Sequence, residues 1–322
     1  FFAISAMAAA MITSCSSEDE LSQSNYPSDN IIRVTAGVNN AKTRADGTGT
    51  EMKNDFSLTI VNKNAPKYTY TDKVFSKKSG DWACSETLLW QKSDALVDIV
   101  AFAPAQTGKF NGVYAEGSIK PITYSVASDQ STSSDKNDLL YYYAKDFNPG
   151  ESLDKGKLNI KFNHAFCMID INVTLGTEFN KPSIQTTSPI IKVTLGGTKI
   201  AANVNVTNAA SVVTASETAA ATDITTTNGS FTTAANAETN AKSCFSCIAI
   251  PQTVAANTFK VSLMTAGKRY EWTSDKEITL QSGYRYTLNL SMGNDVVLLK
   301  GGSISASPWT EGDTGDKPLE TD

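Results

Sequence analysis

Histidine occurs once in this chain, at His164, and arginine only at Arg33, Arg44, Arg269 and Arg285 among 28 basic residues. A Ser-His-Asp or Cys-His arrangement has a single imidazole to draw on, and no G-x-S-x-G elbow accompanies it. His164 stands in a β-type run between Phe162 and Phe166 and reads as a structural residue at a strand bend. Phosphate-cradling loops are missing too: Gly196-Gly197 and Gly301-Gly302 stand in turns with no following Lys-Ser/Thr. Asp129, Asp135 and Asp138 lack the alternate spacing and closing Glu of a calcium loop and read as a solvated turn. The formal net charge of −5 excludes the basic footprint of a nucleic-acid binder. No catalytic residue, metal site or cofactor is expected.

Long helical periodicity is absent as well. Charged residues make up only 19% of the chain, so Ser, Thr and Asn must dress its surface, as in extracellular β proteins. What is present begins with the leader, FFAISAMAAAMITSC, followed by SSEDE. Phe1 to Ile12 has the length of a signal-peptide apolar region and is too short to span a bilayer as a helix. It lacks the charged segment that precedes such a region, so the chain is expected to start inside its leader. Ile12-Thr13-Ser14-Cys15 matches the bacterial lipobox, in which Cys15 is lipidated on its thiol and becomes the mature N-terminus. Two or more acyl chains give stable anchoring in the outer membrane at about 0.8 kcal/mol per buried methylene. Glu18-Asp19-Glu20 looks like the acidic signal that directs some Bacteroidetes lipoproteins to the cell surface. Residues 1–15 are therefore read as the lipoprotein signal with its lipobox, and residues 16–30 as a polar tether.

The other cysteines are Cys84, Cys167, Cys244 and Cys247. Cys244-Phe245-Ser246-Cys247 has C-x-x-C spacing, but the following Ile248-Ala249-Ile250-Pro251 reads as a strand rather than the helix a redox pair needs. No second ligand pair for zinc lies close in sequence. Buried thiols are expected, and pairing cannot be deduced from sequence.

Short strands with turn signals fill the remaining chain. Ile31 to Val38 and Phe56 to Val61 are β runs, and Ala95 to Ala103 is continuously apolar up to Pro104. Leu139 to Tyr143 is a further run, in which Tyr141 and Tyr143 share one face and Tyr142 takes the other. Lys157 to Leu175 alternates, with a bend at His164. Thr177 to Ser188 is polar and edged by Pro182 and Pro189, and reads as a linker. Ala209 to Ala241 is low in large apolar residues and reads as surface loop or edge structure. Hairpins close the chain from Phe259 onward. The fold class is all-β, with an N-terminal β-sandwich over residues 31–178 and a C-terminal one over 179–322 that carries a polar tail.

Arg44 stands apart from the other arginines, in the polar loop NNAKTRADG. Exposed loops of small polar residues are preferred sites of proteolysis. A trypsin-like enzyme would cut between Arg44 and Ala45 and release the tether, the lipid and the strand before it.

These pieces together resemble one family, the fimbrillins of Bacteroidetes, subunits of type V pili. The resemblance rests on the lipobox, IIRVTAGV, TRADGTGTEM, LLWQKSDALVDIVAFAPA, FNHAFCMIDINVTLG, YEWTSDKEITLQSGYRYTLNLSM and SISASPWTEGD, in that order. It implies two tandem transthyretin-like sandwiches and a structural role in a surface fimbria supporting cell adhesion. It implies that an Arg-specific maturation protease cuts at Arg44-Ala45 and that Ile31, Ile32, Val34, Ala36 and Val38 belong to the strand then displaced. A strand of another fimbrial subunit fills the vacated groove, and a donor near Val296 to Ile304 is expected. Two other readings stay open at this point. One is an uncleaved outer-membrane lipoprotein serving as fimbrial anchor or tip adhesin. The other is a glycan-binding lipoprotein using Trp82, Trp90 or Trp272 as exposed platforms.

Overall fold

The computed structural model describes residues 25–39, 52, 54–105, 114–115, 118–119, 121–132, 137–181, 183–300 and 304–309. The first part of the chain forms β1 (Arg33–Val38), β2 (Phe56–Val61), β3 (Tyr70–Lys78), β4 (Asp81–Cys84), β5 (Val97–Ala103), β6 (Tyr114–Ala115), β7 (Ser118–Ile119) and β8 (Ile122–Ser125). The middle forms β9 (Leu140–Phe147), β10 (Lys157–His164), β11 (Cys167–Leu175), β12 (Ile190–Gly196), β13 (Ala201–Val204), β14 (Val213–Ala215), β15 (Ile224–Thr225) and β16 (Thr227–Thr232). The last part forms β17 (Lys242–Ala249), β18 (Gln252–Val254), β19 (Lys260–Thr265), β20 (Arg269–Thr273), β21 (Ile278–Leu280), β22 (Tyr284–Met292), β23 (Val297–Leu299) and β24 (Ser305–Pro308). Among the described residues the α-helix is a single turn, Pro149–Ser152, capped by the Asn148 side chain accepting from Gly150 N. No helix among them is long and apolar enough to cross a membrane. The all-β expectation holds.

A seven-stranded sheet runs β1-β10-β9-β5-β2-β3-β4. A second sheet follows the path β16-β17-β11-β22-β23, with β24 also on β22. Smaller sheets are β15-β12-β19-β20 and β14-β13-β8.

Two hydrophobic cores result. One gathers Phe56, Leu58, Ile60, Ile99, Leu158, Ile160 and Phe162; the other gathers Ile169, Ile171, Leu195, Phe259, Leu263 and Leu288 with their neighbours. β5 explains why its sequence is apolar throughout. Its Val97, Ile99, Ala101 and Ala103 face the first core, while Val100 and Phe102 join the second. The one charge in that strand, Asp98, is buried and answered by Lys63 Nζ at 2.9 Å and by the Asp146 N–H at 2.9 Å. The tyrosines of β9 divide the same way: Tyr141 and Tyr143 pack on the second core, Tyr142 on the first.

The expected division at residues 178/179 is not where the cores part. β11 precedes it, yet pairs antiparallel with β17 and parallel with β22 in the second sheet. The chain changes sheet at Ala165-Phe166, directly after His164. Thr177 to Ser188, expected as a linker, is tied into the second core instead. Gly176 N donates to Met292 O at 2.8 Å, and the buried Asn180 donates through Nδ2 to Thr239 O at 2.8 Å. β8 also crosses over, pairing antiparallel with β13. Local polarity marked these segments correctly as breaks in periodicity but carried no information on their distant partners.

Cys244 and Cys247 lie three apart on β17, so their side chains take opposite faces and neither pair nor chelate together. Cys167 and Cys247 are fully buried, and burial pushes both thiols far up. In the native protein a thiol reagent is expected to modify the partly exposed Cys84 and Cys244 first. Cys167 and Cys247 should react only on unfolding; their rapid labelling, read by mass spectrometry, would contradict this packing.

Candidate functional site

β1 is an edge strand whose side chains alternate. Ile32 and Val34 are buried, Ala36 and Val38 are partly buried against the first core, and Arg33 and Thr35 are exposed. It pairs parallel with β10, with Val34 opposite Leu158, Ala36 opposite Ile160 and Val38 opposite Phe162. Leu158, Ile160 and Phe162 have no solvent exposure and form the floor of a groove that β1 fills. Phe162 meets Phe56 edge-on at 5.6 Å, and Phe56 in turn stacks on Phe75. Burying Ile32 and Val34 is worth roughly 3–6 kcal/mol together.

β10 depends on this pairing. Among the described residues, β9 meets β10 only at Asn163 and His164, opposite Tyr141 and Leu140. From Lys157 to Phe162 the ladder partner of β10 is β1. At the far end Asn39 extends the contact, its N–H donating to Phe162 O at 2.6 Å and its Nδ2 to Asn163 Oδ1 at 2.8 Å. At the near end the chain turns into a different partner. Ile32 N donates to Leu88 O at 2.9 Å, Trp90 N donates to Asn30 O at 2.8 Å, and Ile31 bridges Leu89. Asn30 takes φ 56°, a left-handed conformation that Asn tolerates.

Outside the groove, Asp29 accepts from Arg33 Nη1 at 3.0 Å, from Nη2 at 2.6 Å, and from Ile31 N at 3.0 Å. The Arg33 guanidinium chiefly, then the Ile31 N–H, holds the Asp29 carboxyl down to about 2. A depressed acid contributes above its unfolded value and loses that contribution as pH falls through about 2. The group is fully exposed, so this pair orients the strand entry and adds little stability.

Cys15, Arg44 and Ala45 lie outside the described residues. Ile31, Ile32, Val34, Ala36 and Val38 are brought together along one strand entry, with Ile31 pointing away from the other four. Of the tryptophans expected as open platforms, Trp90 is buried, and Trp82 and Trp272 are partly buried. Trp90 is 2% exposed and stacks on Phe147 at 6.1 Å, Trp82 packs on Phe56, and Trp272 packs on Phe259. Trp90 is closed to a ligand, whereas Trp82 and Trp272 each keep a partly exposed ring.

Asp138, expected in a solvated turn, is held inward by His164 Nδ1 at 2.8 Å. The His164 ring also stacks on Trp309 with centroids 3.7 Å apart and planes 15° off parallel. Within the expected donor region Val296 to Ile304, β23 lies antiparallel along β22 of the same chain, and β24 follows on the same strand just beyond it. Among the described residues no cluster of three metal-ligating side chains occurs.

The geometry defines a β-rich protein whose first strand closes a core from the sheet edge, on a strand with little other support. The fimbrillin-like family model matches residues 43–309, and the chain belongs to that family. No curated protein sequence matches it. Solved structures share the fold. One, a proposed cell adhesion protein from Bacteroides ovatus, has TM-score 0.62 at 14% identity, covering 87% of this chain and 97% of that one. Another, from Bacteroides uniformis and described in the same terms, has TM-score 0.58 at 15% identity, covering 88% and 100%. A fimbrial protein from Bacteroides vulgatus has TM-score 0.54 at 15% identity, covering 87% and 99%. The family match begins after β1, so Arg44 lies inside the matched segment and the edge strand before it.

Proposed function

We propose that this chain is a structural subunit of a surface fimbria, delivered as a lipoprotein through Cys15 and polymerised by strand exchange. In this reading an Arg-specific protease cuts at Arg44-Ala45, β1 leaves, and an extended strand of a second subunit takes its place. Its two β-sandwich units and its adhesive role follow from the same reading. The supporting observation is the dependence of β10 on β1 over Lys157–Phe162. Loss of β1 bares one row of backbone N–H and C=O groups and a fully apolar floor. An added strand restores both, its backbone giving affinity and its alternate side chains giving register.

Arg44→Ala is expected to leave the lipidated precursor folded and at the membrane while fibre formation drops to background. Mass spectrometry of the surface form reads the result directly. A mature N-terminus at Ala45 in fibres supports the assignment, and normal fibres from Arg44→Ala would reject it. Intact lipidated Cys15 as the sole surface form would instead indicate an anchor or tip role.

A further inference from the structure

Away from β1, a cleft of about 630 Å³ opens beside the second core. That size lies within the roughly 300–1,000 Å³ of small-molecule sites. One wall is residues 209–215, the small-residue stretch that ends in β14; the other is the ribbon of β18 and β21. Tyr141 of β9, Pro251 and Leu280 line it from the protein side, each wholly or partly buried. None of the lining residues belongs to β1 or β10.

Lys199 fixes the two walls relative to each other. Its N–H donates to Gln252 Oε1 and its C=O accepts from Gln252 Nε2, both at 2.9 Å, which ties it to β18. Its ammonium reaches the end of the other wall, donating to Ser216 O at 2.9 Å and to Glu217 O at 3.3 Å. The walls are therefore set before anything binds, which lowers the ordering cost of binding. Those bonds also occupy the one cation among the described lining residues, and no carboxylate is among them. The groups left to a ligand are uncharged. The side chains of Tyr141, Gln281 and Ser282 make no hydrogen bond to another described residue. Thr253 and Thr279, opposite each other on β18 and β21, carry hydroxyls 3.4 Å apart at exposed positions.

We propose that this cleft binds a short neutral oligosaccharide. An acidic ligand meets no free cation there, and a basic one meets no carboxylate. A wholly apolar ligand would cover the hydroxyls and the amide without bonding them, at about 1–3 kcal/mol for each. A sugar presents C–H faces to Tyr141 and Val212 and hydroxyls that both donate and accept to the amide and hydroxyl groups. Ala209, Ala210 and Ser211 are exposed and short, so the wall they form leaves room for the ring. The low-complexity run thereby gains a use that its composition did not suggest. Where the chain polymerises, a step that rests on the fimbrial reading, each copy carries one cleft and weak single contacts sum to avid adhesion.

The full chain in monomeric form is applied to an array of neutral and acidic oligosaccharides, and the strongest neutral hit is titrated by calorimetry. Binding to neutral glycans is expected, with no gain from sialic acid or sulfate. Ala210→Trp fills the cleft from an exposed position and should weaken binding by more than about tenfold. Gln281→Ala and Tyr141→Phe each remove one polar partner and should weaken it roughly three- to tenfold. If Ala210→Trp also lowers the thermal midpoint, Gln281→Ala and Tyr141→Phe decide alone. No neutral glycan bound above background, or parent affinity in these variants, overturns the proposal. Binding confined to acidic glycans, or to an array of neutral extended peptides instead of sugars, overturns the ligand class. Because the monomer is assayed, a negative result leaves strand exchange standing, and a failure of fibre formation leaves the cleft standing.

Discussion

A subunit carrying Thr35→Cys and Asn159→Cys is expected to stop assembling under oxidising conditions and to resume when the bridge is reduced. The two residues are direct ladder partners on the solvent side of β1 and β10, with Thr35 Oγ1 and Asn159 Oδ1 3.4 Å apart. Paired strands run about 4.8 Å apart, which lies within the Cα separation a disulfide spans. The bridge leaves the groove and the buried side chains untouched. It acts only by preventing β1 from departing, so a protease can still cut while the strand stays attached. Fibre yield should fall to background with the bridge and return to the parent level after reduction. Non-reducing gels should show the cut N-terminal peptide still bound. Normal fibre growth with the bridge intact would mean that β1 never leaves, and strand exchange at this groove would be wrong. Each single cysteine variant serves as its own control, because both positions are exposed and tolerate substitution.

The second large effect concerns the ion pair between Arg285 Nε and Asp170, which joins β22 to β11. Both side chains are largely shielded, at 16% and 12% exposure. Arg285→Met would leave the Asp170 carboxylate in that setting without its cation. The expected cost is about 3–5 kcal/mol, read as a lower denaturant midpoint. Adding Asp170→Leu removes the stranded charge, and the double variant is expected to recover most of the loss. If Arg285→Met alone costs less than about 1 kcal/mol, water reaches the pair and it behaves as a surface bridge. The pair sits on a strand whose other edge carries β23 and β24.

Much of the strand content was legible from alternation. Phe56 to Val61, Ala95 to Ala103 and the run broken at His164 emerge as β2, β5, β10 and β11. The alternation of Ile32, Val34, Ala36 and Val38 also told which side chains enter the core. The linker reading failed because Thr177 to Ser188 is polar for a local reason: it turns beside the second core and uses side chains such as Asn180 to anchor itself. Asp138 failed similarly, since a short Ser-rich stretch gives no hint that His164, 26 positions later, will fold onto it. Trp82, Trp90 and Trp272 gave no sequence signal separating a packed ring from an open one.

Sequence alone determined that this is an all-β chain with an isolated Arg44 and a half-apolar first strand. Tertiary structure alone decided that this strand lies parallel on β10, that β10 has little other ladder there, and that Trp309 closes over its end. The reason is physical. A period of two specifies which face a side chain takes, whereas the hydrogen-bond partner of a strand lies anywhere in the chain and is chosen by packing of the whole.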